Sequence, residues 1–448
     1  MKDKIRIGCG AGFSGDRLDP AIILAEQGNL DYLVLECLAE RTIALAQKRK
    51  IKDQTKGYDP LLERRIESLL PALTKNKVTL ITNMGAANPM EAAKKVADIA
   101  RKLKLKIRIA AVTGDDVFKK LETSSIALET NEPVGNSGEL ISANAYLGVD
   151  GILEALHANA SVIITGRIAD PSLFLAPMIF EFGWSTSDYD LLGKGTVIGH
   201  LLECAGHITG GYFADPVKKP VEGLHKLGHP FADVKKDGSA IISKVQGTGG
   251  VVNLMTVKEQ LLYEVINPSE YFTPDVIANF TTVKLQEIGH DQVQVTGGHG
   301  KPKPETYKVS VGYKAFCLGE GEISYAGHAA FERAKLAGEI VSKRFAEGLV
   351  ISDHPITDIR VDYIGISSVH RTDFKTAPVS PYEIRLRIVG KAQTPEDAAL
   401  IGEEVEALYT NGPAAGGGVR KLVNEVVGIV STLMARTEIE VQITIIES

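Results

Sequence analysis

The 448-residue chain is poor in cysteine and has a single tryptophan. Cys9, Cys37, Cys204 and Cys317 lie far apart and form no CxxC pair, so neither a zinc knuckle nor a disulfide framework is indicated. Long apolar runs are also missing: nothing approaches the roughly 18 uninterrupted apolar residues of a spanning helix. The start, Met1-Lys-Asp-Lys-Ile-Arg-Ile, enters a strand-like segment without the charged flank and apolar core of a signal peptide. Neither charge sign dominates, since 50 Lys plus Arg against 56 Asp plus Glu give −6. A concentrated basic face for nucleic acid is therefore not expected. No Gly-x-Ser-x-Gly elbow and no Gly-Lys-Ser/Thr phosphate loop occurs, which counts against the common serine hydrolases and Walker-type sites. The expectation is a cytoplasmic protein with no membrane and no nucleic-acid partner.

What is present is ordinary globular material, 44% apolar and 24% charged, long enough for two or three domains. Strand-like runs at Ile5–Cys9, Tyr32–Glu36, Val78–Thr82, Ile107–Val112 and Val162–Thr165 are short and β-branched, and apolar on consecutive positions, as in strands covered on both faces. Helical patterns lie between them at Pro20–Gly28, Leu38–Lys50, Pro60–Leu73, Pro89–Leu103 and Gly148–Ala158, several opened by Asp-Pro or Asn-Pro. This alternation predicts a mostly parallel sheet flanked by helices. After about Gly211 the pattern changes. Thr281–Tyr325 alternates like antiparallel strands, and helices are expected at Val257–Ile266, His328–Phe345 and Pro395–Tyr409. Strands are expected near Ile356–Ile366, Tyr382–Gly390 and Ile439–Ile446. The expected fold is α/β, with residues 1–211 as an α/β domain and 212–448 as an α+β domain covering or completing its site.

The first strand ends in Gly8-Cys9-Gly10-Ala11-Gly12-Phe13-Ser14-Gly15-Asp16-Arg17, where Gly10, Gly12 and Gly15 match GxGxxG and Glu36 follows about 21 residues later. In a dinucleotide site the helix opens at the second glycine; here its start signal is Asp19-Pro20. The loop therefore reads better as one that binds another anion, with a plain structural turn as the alternative. Polar residues also follow the other strands: Glu36, Cys37 and Glu40; Asn83 and Asn88; Asp115 and Asp116; Arg167 and Asp170. In parallel sheets these carboxyl ends share one edge, where ligands bind. Helix capping accounts for Asn88, Asp115 and Asp170 on this reading, and Arg167 is the candidate clamp for a carboxylate or phosphate.

His200, Glu203, Cys204 and His207 stand at i, i+3, i+4 and i+7, one face of a helix. Two imidazoles and a carboxylate suit a divalent metal or proton transfer, or simply a polar face, and no metal site is assigned. Gly210 and Gly211 follow, with backbone able to approach a ligand. Two further glycine segments, Gln246–Gly250 and Asn411–Arg420, read as an anion nest or as flexible surface turns.

Long segments resemble the acyclic terpene utilisation (AtuA-like) family: Gly10–Arg17, Asp31–Arg41, Thr82–Pro89, Val112–Asp116, Asn144–Gly148, Ile164–Pro171, Glu203–Gly211 and Asn411–Pro413. The resemblance spans essentially the whole chain, without the smaller extra C-terminal domain of some relatives. It implies a role in breaking down citronellol-type acyclic terpenes, a route that works on branched acids as CoA thioesters, and brings no catalytic residue set with it. The combined expectation is a non-redox lyase, hydratase or isomerase acting on a branched carboxylic acid or acyl-CoA, with cofactor unassigned and the chain forming a homo-oligomer. Glu36, Asp116, His207 and Glu203 would move protons. Gly10, Gly12, Ser14, Gly15, Asp16, Arg17, Asn83, Asn88, Arg167, Asp170, Gly210 and Gly211 would bind substrate. The alternatives are an NAD(P)-dependent oxidoreductase, based on the glycine match, and a non-catalytic acyl-binding or partner subunit.

Overall fold

The computed structural model describes residues 2–370 and 381–448. They form two compact units: residues 1–136, 140–312 and 429–448 in one, 137–139 and 313–428 in the other.

The larger unit opens with β1 (Lys4–Ala11), α1 (Asp19–Gln27), β2 (Tyr32–Leu35), α2 (Glu40–Lys52), α3 (Leu62–Asn76), β3 (Thr79–Thr82), α4 (Pro89–Lys102) and β4 (Arg108–Thr113). Next come β5 (Glu139–Ala145), α5 (Asp150–His157), β6 (Val162–Thr165), α6 (Ser172–Phe182), α7 (Tyr189–Glu203), β7 (Pro230–Lys235), β8 (Ala240–Lys244) and α8 (Leu254–Leu262). Short strands β9 (Tyr271–Phe272), β10 (Ile277–Asn279), β11 (Lys284–Gly289), β12 (Gln292–Thr296) and β13 (His299–Lys301) follow, and β18 (Gln442–Glu447) ends the chain's last turn through this unit. One ten-stranded sheet runs in the order β11-β12-β8-β7-β1-β2-β3-β6-β4-β18. Its five middle strands, β1-β2-β3-β6-β4, are parallel; β7 and β18 join antiparallel at β1 and β4. The change of pattern after Gly211 thus marks the switch from parallel to antiparallel pairing within this one sheet.

Register explains why the strands are apolar on consecutive positions. Leu33, Leu80, Val162 and Ile109 stand side by side across β2, β3, β6 and β4, and pack on the layer made by α1, α3 and α4. One residue along, Val34, Ile81, Ile163 and Ala110 form the next row, pointing to the other face. They are fully buried too. There α6 packs against β1 and β2 and between α5 and α7. The connections through α1, α3 and α4 all step one way along the sheet; β4 to β6 steps back through α5. A right-handed crossover that reverses direction must change face. Neighbouring β3 and β6 therefore send the chain to opposite faces, and their carboxyl ends leave a crevice of the kind where open α/β sheets bind ligands.

In the smaller unit, residues 313–326 of β14 (Thr306–Ala326), with β15 (Thr357–Ile364) and β16 (Glu383–Ala392), make an antiparallel sheet, and the first part of β17 (Gly417–Ala435) lies next to β14. Helices α9 (Ala330–Ala346) and α10 (Pro395–Asn411) cover one face, burying Ile323, Tyr325, Leu386, Val341 and Val405. The fold is α/β with antiparallel pairing in the second half, as expected. The segment read as flexible turns at Asn411–Arg420 becomes the end of α10 and the start of β17.

Candidate functional site

The parallel strands do converge on a polar edge, within the larger unit. Glu36 follows β2 and is 8% exposed. Its Oε1 accepts from the Leu38 amide at 2.8 Å and from Asn83 Nδ2 at 2.9 Å, while Asn83 Oδ1 accepts the Cys37 amide at 2.7 Å. Asn83 follows the next strand, β3, so two adjacent strand ends are tied together. Burial pushes the Glu36 carboxyl well above its usual range; the charge of Asp170 adds to this and Arg167 opposes it.

Arg167 follows β6 and is almost completely buried. Nε donates to Ile168 O at 3.0 Å and Nη2 to Ile168 O at 2.6 Å; Nη1 bonds Leu38 O, and Nη2 also bonds Asp170 Oδ1. Four of the five guanidinium N–H groups are thereby used by the protein itself. The Tyr146 ring lies 4.3 Å beneath its Cζ. Burial works against the charge, but Asp170, Tyr146, Glu36 and Glu40 hold the arginine above its ordinary pKa. Tyr146 donates to Glu40, which is pushed down to about 2: partial burial would raise it, but the hydroxyl bond and the nearby cations win.

Asp115, after β4, closes the row. Oδ2 accepts from the Arg167 amide and from Asn144 Nδ2, both at 2.9 Å. Burial raises Asp115 to about 6 against those two bonds. Gln47 Nε2 then reaches Asn144 at 3.4 Å and Asp116 at 3.1 Å. Asp116 itself sits at the rim, 43% exposed, with Lys50 at 3.8 Å. The capping expectation is corrected here: Asp115 holds Arg167 and Asn144, Asp170 holds Arg167, and Asn88 donates its side-chain amide to Gln54 O and Lys56 O. None of the three serves as a side-chain cap, because α4 and α6 start without one.

A second polar group lies at the end of α7. The helix stops at Glu203, and His207 falls in a following 3-10 turn, so the predicted single face is broken after Cys204. His200 Nδ1 meets Glu203 Oε1 at 2.7 Å; Nε2 meets Gln260 O at 2.9 Å. A carbonyl only accepts, so Nε2 carries hydrogen, and one further proton is shared between Nδ1 and the carboxyl. Burial lifts Glu203 to about 7, with His200 pulling it down and Asp170 pushing it up. Its other oxygen, Oε2, is buried with no hydrogen-bond partner among the described residues, as is Oε1 of Gln260. His207 packs edge-on to Tyr263 with ring centres 4.8 Å apart, and burial lowers its pKa. Among the described residues no three His, Cys, Asp or Glu side chains are gathered as a metal-binding set.

The glycine loop is shaped by packing. A Cβ on Gly10 would lie 2.7 Å from Leu35 Cδ2, and one on Gly12 only 2.5 Å from the Cys204 backbone carbon. The Gly12 amide donates to Asp16 Oδ2 at 2.9 Å, and the Arg17 amide to Oδ1 at 2.8 Å, so the loop folds around its own carboxylate. Ser14 donates to Asp59 at 2.6 Å, Arg17 pairs with Asp19 at 2.5 Å, and a Cβ on Gly15 would strike the Phe13 ring. Gly210 and Gly211 turn the chain against Val221 and Gly206. The edge therefore gathers Glu36, Asn83, Arg167, Asp170 and Asp116, and electrostatics link Glu203 to Asp170. Arg17 lies apart with Asp19, and Asn88 with the α2–α3 loop. Sequence reasoning missed Tyr146, Asn144, Gln260 and Arg65. Only Asn144 and Tyr146 carried a signal, lying within the Asn144–Gly148 segment of the resemblance.

Fold and edge together define an α/β protein with a buried carboxylate–arginine cluster at the carboxyl ends of its parallel strands. A family model, described as acyclic terpene utilisation family protein AtuA, matches residues 5–445. The chain belongs to that family. No curated protein and no solved structure matches it. No helix among the described residues is long and apolar enough to cross a membrane.

Proposed function

We propose that the edge cluster is a proton-transfer site acting on a branched carboxylic acid or its CoA thioester, with lyase, hydratase or isomerase chemistry in terpene-related catabolism. The carrying observation is Glu203: a buried carboxyl raised to about 7, one oxygen on His200 and the other without a partner. A group of that pKa is poised to give and take protons at neutral pH, and its second oxygen is not committed to another group of the protein. Glu203 would move the proton next to the carbonyl. Glu36, whose carboxyl burial pushes up, would donate to the developing enolate oxygen. Arg167 and Asp170 hold the β2 and β6 loops in place around it. The dinucleotide reading has less support, because the Gly12 amide is spent on Asp16 and Gly12 packs against Cys204.

The test is hydrogen exchange in D₂O. Branched acids and their CoA thioesters are incubated with the purified protein, and deuterium entry beside the carbonyl is followed by mass spectrometry. Wild type should catalyse incorporation, and Glu203→Gln should slow it by about 100-fold or more. Absence of incorporation from every acid and thioester would overturn the reading and favour a non-catalytic acyl-binding subunit.

A further inference from the structure

A hollow of about 480 Å³ opens between the glycine loop and α3, lined by Leu18, Ile22 and Leu61, by three arginines, Arg17, Arg64 and Arg65, and by Asp16 and Asp19. Arg17 is neutralised by Asp19. The other two are different. Arg65 is only 2% exposed. Its Nη1 donates to Cys37 Sγ at 2.8 Å, and its Nη2 to Ser14 O at 2.9 Å and Asp16 O at 2.8 Å. These partners are a thiol and two carbonyls, and burial pushes that thiol's pKa up, so none of them carries a compensating charge. The carboxylates of Asp16 and Asp59 lie close by but do not bond Arg65 directly. Asp16 takes the Gly12 and Arg17 amides and stands 3.7 Å from His229; Asp59 takes the Ser14 hydroxyl and the Leu61 amide. Arg64, one residue back and exposed, forms no ion pair with any described carboxylate.

A buried guanidinium whose direct bonds all go to neutral groups keeps N–H groups for an anion, and a rigid one at the wall of an open hollow is prepared for a ligand to supply it. We infer that this hollow is a binding site for a phosphate group, with Arg65 as its fixed contact and Arg64 as its mobile one. Two guanidiniums lacking carboxylates suit the double charge of a phosphate monoester better than the single charge of a carboxylate, and their planar forks match phosphate oxygens. The apolar wall of Leu18, Ile22 and Leu61 takes the organic body of the ligand. Arg65 holds Cys37, the residue after Glu36, so the hollow adjoins the strand edge. Resting on the proton-transfer reading above, the site would anchor the phosphate-bearing part of a substrate while its acyl end reaches Glu203.

Isothermal titration of wild type, Arg64→Gln and Glu203→Gln with inorganic phosphate, acetate, CoA and pantetheine tests the inference without requiring turnover. Phosphate and CoA should bind wild type and Glu203→Gln alike. Acetate and pantetheine should bind at least tenfold more weakly, and Arg64→Gln should lose about tenfold or more for phosphate. CoA binding lost in Arg64→Gln assigns the phosphate to a carrier; phosphate binding without CoA binding keeps the site but overturns its link to a thioester. Failure of both to bind wild type, or unchanged binding by Arg64→Gln, overturns the site itself. Arg65→Lys provides a second variant at the buried position and should weaken phosphate binding in the same direction. Neither result depends on whether Glu203→Gln abolishes deuterium exchange, so the two proposals fail separately.

Discussion

Glu203 makes a stability prediction that needs no substrate. Its carboxyl titrates near 7 in the fold, against about 4.3–4.5 in an unfolded chain. The folded state therefore holds the proton more tightly, and stability from this group is greatest below the unfolded value and is lost as pH rises through about 7. The expression RT ln[(1+10^(pH−pKa,U))/(1+10^(pH−pKa,N))] gives a cost of about 1 kcal/mol at pH 5 and about 3 kcal/mol at pH 8. Glu203→Gln keeps the shape, removes the titration and should gain about 2 kcal/mol relative to wild type across that interval. The proton shared with His200 makes this an upper bound. The chain has two compact units, and the transition to follow is that of the larger one. Trp184, the single tryptophan and only 6% exposed, lies in that unit and reports it by fluorescence. Urea unfolding of both proteins at pH 5, 6, 7 and 8 supplies the comparison. Two parallel stability curves would refute a raised Glu203 and with it the argument for its proton-transfer role.

Three further outcomes follow from the packing. Arg167→Ala strands the buried Leu38 O and Ile168 O and removes the partner of the half-buried Asp170, and should cost about 2–4 kcal/mol by the same fluorescence assay; a loss below ~1 kcal/mol would mean that the arginine is not holding the edge together. Gly12→Ala places a methyl 2.5 Å from the Cys204 backbone, which cannot rotate away, and should destabilise by about 1–3 kcal/mol with no ligand present. An undiminished melting temperature would return that glycine to a ligand-binding role. Burial raises the thiol pKa of Cys9, Cys37 and Cys204, so these three should react with a maleimide at pH 8 far more slowly in the native protein than in urea. Labelling of any of them at the rate of free cysteine would contradict their placement.

Secondary structure was legible wherever one physical signal acted alone. The five parallel strands sit within a residue or two of their apolar runs, because strands buried on both faces must be apolar on both faces. Pro20 and Pro89 mark the first turns of α1 and α4. α6 was silent: all its residues except Phe180 and Glu181 are buried, so it has no polar face to give a period, and Pro177 interrupts the pattern. β17 was masked by its opening glycines and by exposed charges at Arg420 and Lys421.

The sequence by itself determined the family, the alternating α/β half and the polar residues after each parallel strand, since these rest on local chemistry and short-range periodicity. Only the tertiary structure decided which of those residues meet. Glu36, Asn83, Arg167 and Asp115 come together because β6 inserts between β3 and β4, an order set by long-range pairing. The same packing spends Arg167 on carbonyls and Asp170, turns the glycine loop around Asp16, leaves one Glu203 oxygen without a partner among the described residues, and gives Arg65 only neutral groups to bond directly. Partners of this kind are fixed by burial, and burial is a property of the folded whole.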